Sequence, residues 1–61
     1  MTVRDLTNRI ENGSSHILLI DGNTGEVILK TIWYNEIPDK QLDRQVTKIR
    51  VTSYMLTLTI K

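Results

Sequence analysis

The sequence contains no cysteine, phenylalanine or alanine, and only one histidine and one proline. Each absence closes off a class of structure or chemistry. Without cysteine there is no disulfide and no zinc–thiolate centre. A single histidine, His16, rules out a multi-histidine metal site, so neither a metal nor a cofactor is expected. No apolar run approaches the ~18 residues that a membrane-spanning helix needs, and no membrane partner is expected. The opening Met1-Thr2-Val3-Arg4-Asp5-Leu6 lacks an apolar leader core, which makes the cytosol the expected compartment. Asn12-Gly13-Ser14 matches a glycosylation acceptor, without consequence in that compartment. Charge of one sign is also lacking. Eight basic and seven acidic residues give a formal net charge of +1. That balance is unlike a dedicated nucleic-acid binder, yet leaves room for a local basic patch.

What remains is a short chain rich in branched residues. Its 61 residues suffice for one domain, 1–61. A core of this size supplies only ~3–5 kcal/mol of net stability. Eight Ile, seven Leu, four Val and eight Thr favour strands, where branched side chains pack well on a pleated surface.

Residues 2–12 predict a helix. Thr2 is a good N-cap with Asp5 three residues on, and Val3, Leu6 and Ile10 form one narrow apolar stripe. Asn12-Gly13 offers a stop. Residues 16–21 predict a strand apolar enough to be covered on both faces, and 26–33 its hairpin partner across the turn Asp21-Gly22-Asn23-Thr24-Gly25. Pro38 and Asp39 suit the start of a short helix over 38–43. Residues 46–52 and 55–60 alternate as two further strands, with Thr47, Ile49 and Val51 on one side of the first. The intervening Thr52-Ser53-Tyr54-Met55 lacks Gly and Asn, leaving either a hairpin or one long strand shared with another subunit. The expected fold is α+β: an N-terminal helix packed on a four-stranded, mainly antiparallel sheet, in the order α-β-β-(short α)-β-β.

No constellation carries catalysis. Ser14-Ser15-His16 places hydroxyls beside an imidazole, but adjacent residues at a strand entry point apart, and no third orienting group is in sight. Asp21-x-Asn23-x-Gly25 opens like a calcium loop, yet Ile32 stands where the closing glutamate belongs. Glu36, Asp39 and Asp43 form an acidic stretch that reads as a solvated face. The chain is expected not to be an enzyme.

Two surfaces stand out instead. Alternation along 26–34 puts Val27, Leu29, Thr31 and Trp33 on one side, and Glu26, Ile28, Lys30, Ile32 and Tyr34 on the other. Both sides carry large apolar groups, and one narrow helix stripe covers only one. Ile28, Ile32, Trp33 and Tyr34 are therefore candidate interface residues, for self-association as a homodimer or for a protein partner, unless 35–45 folds over them. Lys48, Arg50 and Lys61, with Thr57 and Thr59, share the outward face of the last two strands. They are candidates for nucleic-acid or nucleotide contact, although no aromatic lies there to stack bases.

Met1-Thr2-Val3-Arg4-Asp5-Leu6 with Arg9-Ile10, then Ile17-Leu18-Leu19-Ile20-Asp21 with Gly25-Glu26-Val27, then Ile37-Pro38 with Leu42-Asp43-Arg44-Gln45-Val46, resemble small proteins of bacteriophages and mobile elements. The resemblance implies a host-takeover factor. Some such proteins inhibit defence systems such as CRISPR nucleases, and others sequester signalling nucleotides. It has no defined motif and so assigns no functional residue. The expected function is a small interaction module acting on a host protein, with nucleic-acid or nucleotide binding as the alternative.

Overall fold

Thr2 opens the first helical segment with a reciprocal cap. Its hydroxyl accepts the Asp5 backbone N–H at 3.2 Å, and the Asp5 carboxylate accepts the Thr2 N–H at 3.1 Å. The structure, a computed structural model, describes residues 1–61 except Asn12, Ser14 and Ser53. The acceptor pattern at 12–14 and the first serine of Ser14-Ser15-His16 thus lie outside the described residues. Helix α1 spans only Val3–Thr7, shorter than the 2–12 expected. The Thr7 hydroxyl donates back to the Arg4 carbonyl at 3.2 Å, and Thr7 and Asn8 are weak helix formers. The next N–H groups, of Arg9 and Ile10, then bond three residues back rather than four. Leu6 and Ile10 nevertheless pack against the core, as the stripe predicts.

The sheet is built from β1 (His16–Asp21), β2 (Val27–Thr31), β3 (Val46–Thr52) and β4 (Met55–Ile60). Its order is β2-β1-β4-β3. Two antiparallel hairpins, β1–β2 and β3–β4, lie side by side, and the central pair β1–β4 is parallel. In the first hairpin the Asp21 carboxylate accepts the Asn23 N–H and its carbonyl accepts the Gly25 N–H, both at 2.7 Å. Gly25 takes a φ of 78°, the left-handed region that suits glycine. In the second, Thr52 pairs with Met55, so β3 and β4 form a hairpin.

A parallel central pair obliges the chain to cross from β2 to β3 over one face. Thr31 starts that crossing. Its hydroxyl accepts the Trp33 N–H at 3.0 Å and ends β2 short of the expected 33. A 3-10 turn at Tyr34–Glu36 follows, then helix α2 at Asp39–Leu42, within the predicted 38–43. Arg44 closes the crossing. It donates to the Lys61 carbonyl and the Gln41 side chain, each at 3.0 Å, and lies 3.8 Å from the Asp21 carboxylate.

The core is Val3, Ile17, Leu19, Tyr34, Ile37, Leu58 and Ile60, with Leu6, Ile10, Ile28, Leu29, Leu42, Val46 and Leu56 packed around it. All of it lies on the face covered by α1 and the crossing segment. Cover on both faces of β1 is not found: Ile17 and Leu19 are buried, while Leu18 and Ile20 opposite them are half-buried. Cover also runs out along β3. A bulge at Thr47 brings Val46 opposite Ile60, but Ile49 is 47 % exposed and Val51 73 %. The alternation that sets Thr47, Ile49 and Val51 apart thus gives no buried side, because α1 and α2 are too short to reach it.

This contrast sets two expectations. Leu58→Ala should cost about 2–5 kcal/mol, comparable to the whole net stability of so small a domain, and abolish the cooperative urea transition. Val51→Thr should move the midpoint by no more than about 0.5 kcal/mol. Asp5 gives a pH signature. The Thr2 backbone N–H, then the Thr2 hydroxyl, hold its carboxyl below the ordinary 3.8. A lowered folded pKa means stability present above about pH 4 and lost as pH falls through the folded value. Carboxyl NMR titration should show the low value, and Thr2→Ala should move it upward.

Candidate binding surface

The helical segments cover one face of the sheet, and the strand register spells out the other. Cross-strand partners share a face. Lys30 opposes Leu18, Leu18 opposes Thr57, and Thr57 opposes Arg50, one row across all four strands. Val27, Ile20, Thr59 and Lys48 form the next row, and His16, Met55 and Thr52 a third. The middle of this open face is therefore apolar and hydroxylic. Its two margins are cationic: Lys30 on one, Lys48 and Arg50 on the other.

Charges are sorted between the faces. Lys30, Lys48 and Arg50 are exposed, and among the described residues none of them makes an ion pair or a side-chain hydrogen bond. The ion pairs lie on the covered side. Arg4 meets Asp43 at 3.1 Å between α1 and the end of α2, and Arg44 meets Asp21. Asp21 opposes Ile60 and so belongs to the covered face. An overall charge of +1 thus conceals a face whose lysines and arginine are unpaired and another whose charges meet in ion pairs. Among the described residues, no group of three His, Asp or Glu side chains is placed to hold a metal ion. No helix among them is long and apolar enough to cross a membrane.

The expected sites fare differently. Lys48 and Arg50 do share a face, opposite Thr59 and Thr57. Lys61 follows β4, exposed, its backbone N–H donating to the Gln45 carbonyl at 2.9 Å. The open patch expected at Ile28, Ile32 and Tyr34 is corrected. Tyr34 is a core residue, only 8 % exposed, and Ile28 packs against the core. Two causes act together. A bulge in the β1–β2 pairing puts Val27 opposite Ile20 but Leu29 opposite Leu19, so strict alternation breaks at Ile28. The Thr31 turn then swings Tyr34 back under the sheet. Ile32 is left half-buried, and Trp33 alone of the four is exposed. Lys30 is the addition to the basic face. Uninterrupted alternation groups it with Ile28 and Tyr34, and only the bulge separates them.

Trp33 has a specific neighbour. A Cβ on Gly13 would lie 2.7 Å from the Trp33 ring, and Gly13 has a φ of 82°. Glycine there serves both the turn after α1 and the close approach of the indole. Gly13→Ala should therefore cost about 1–2 kcal/mol from backbone strain and displace the ring. Because this is the sole tryptophan, a shift of its fluorescence emission reports the displacement directly. Comparison with known protein families, with curated proteins and with solved structures finds no match to this chain.

Proposed function

We propose that this chain is a non-enzymatic protein-binding module and that the open sheet face is its binding surface. The charge sorting carries this reading. Unpaired lysines and an arginine gather on the face that no helix covers, at the margins of a strip containing Leu18 and Ile20. An apolar centre with a polar margin is the usual anatomy of a protein interface. Size supports the same choice. A standard interface takes ~800 Å² from each partner, about a fifth of the 4123 Å² this chain exposes. Whatever binds must occupy most of one side, and the open face is one side. The partner's matching surface is acidic. The resemblance to small phage proteins favours a host protein, such as a component of a defence system, as that partner.

A second reading keeps nucleic acid or a nucleotide as the ligand. Lys48 beside Thr59 and Arg50 beside Thr57 offer cation–hydroxyl pairs suited to phosphate oxygens. The three rows contain no Phe, Tyr or Trp for base stacking, which favours the protein partner.

Capture on the immobilised chain separates the two. The wild type should retain a host protein that survives nuclease treatment and elutes as salt is raised. Lys48→Glu with Arg50→Glu, folded by circular dichroism, should reduce that retention at least ~10-fold, because reversing a complementary charge costs more than removing it. Nuclease-sensitive capture would select the second reading. Unchanged capture by the double variant would exclude this face.

A further inference from the structure

The outer edge of β3 is a separate surface. β3 ends the sheet order, paired with β4 on its inner side, and beyond Val46 its outward-facing backbone groups have no strand beside them among the described residues. The chain's own start shows what this edge accepts. The Val46 N–H donates to the Met1 carbonyl at 2.8 Å, the Val3 N–H donates to the Arg44 carbonyl at 3.1 Å, and Thr2 bridges to Gln45 in antiparallel sense. Thr2 and Gln45 thus form a single antiparallel bridge at the start of β3. A groove of about 280 Å³ lined by Met1, Val46, Thr47, Lys48 and Ile49 lies at that point.

Side chains along the free edge are sorted by face. Lys48 and Arg50 point to the open face, while Ile49 and Val51 point to the covered side beyond the reach of its helices. We propose that this edge takes up an extended acidic segment of a partner protein as a fifth strand, with acidic residues alternating with aliphatic ones. Main-chain hydrogen bonds hold such a segment, and alternate side chains select it. Its acids meet Lys48 and Arg50, and its aliphatics cover Ile49 and Val51. A second copy of this chain is the poorer occupant. Antiparallel pairing of β3 with its own copy, centred on Ile49, sets Lys48 opposite Arg50; centred on Arg50, it sets Arg50 opposite itself. Like charges directly opposite destabilise a strand pair. The proposal concerns the edge and holds whether or not the open face binds a partner.

The test uses the intact chain and a capped synthetic peptide of alternating Val and Glu, about seven residues long to match β3. At low salt the peptide should slow exchange of the outward-facing amides within 47–52 at least ~10-fold, with the shifts centred on Ile49 and Val51. Methylating alternate peptide nitrogens on the pairing side should abolish this, which plain charge attraction would not predict. Lys48→Glu with Arg50→Glu should reverse the preference, towards a peptide of alternating Val and Lys. Equal protection by the Val–Lys peptide on the wild type would overturn the proposal. So would absence of protection at millimolar peptide, or a dimer in sedimentation that protects the same amides without peptide. Shifts confined to Leu18, Lys30 and Thr57 would place the peptide on the open face instead, which rejects the edge and leaves the face reading intact.

Discussion

The parallel pairing of β1 with β4 is the constraint on which the rest of the molecule depends. It joins the two hairpins, and it lines up Ile17, Leu19, Leu58 and Ile60, all fully buried. Antiparallel neighbours can be joined by a tight turn, but parallel ones cannot. The chain must therefore leave β2, cross one face and return at the far edge as β3. Every covering element other than α1 belongs to that crossing: Tyr34, Ile37 and Leu42 are delivered by it. Arg44 then fastens its end to β4 through the Lys61 carbonyl and to β1 through Asp21. One pairing thus dictates both what is covered and from where.

Local signals were legible because they are local. The limits of β1, β3 and β4 agree with the apolar run at 16–21 and the alternating runs at 46–52 and 55–60. The Thr2–Asp5 capping box and the short helix after Pro38 follow from side-chain chemistry within four residues. The α+β class and the four-strand count follow from these. The parallel joining of the hairpins does not, since it depends on contacts between residues far apart in the chain. Nor did the helix stripe at Val3, Leu6 and Ile10 reveal where α1 ends. Apolar spacing reports which residues face the core, and Ile10 reaches it from a turn as well as from a helix.

The candidate surface was half legible for the same reason. Lys48 and Arg50 lie two apart on an uninterrupted stretch of β3, so alternation alone puts them together. Lys30 is separated from its apparent companions by a bulge, and a bulge leaves no mark in a run of Val27, Ile28 and Leu29, where every residue suits a strand. Tyr34 was misplaced through Thr31. A threonine reads as an ordinary strand residue until its hydroxyl takes the N–H two residues on and turns the chain.

Economy of length then explains why the exposed surfaces lie where they do. Helix α1 has five residues and α2 four, too few to cover a four-stranded sheet from edge to edge. Cover was placed over β1 and β4, where it completes the core, and withheld from β3. A strand left bare on both sides and along its edge ordinarily invites indiscriminate pairing, and charges on such a strand oppose it. Lys48 and Arg50 are those charges. The same two residues that deny the edge to a second copy leave it open to a segment of opposite sign, so protection and selectivity arise from one pair of side chains.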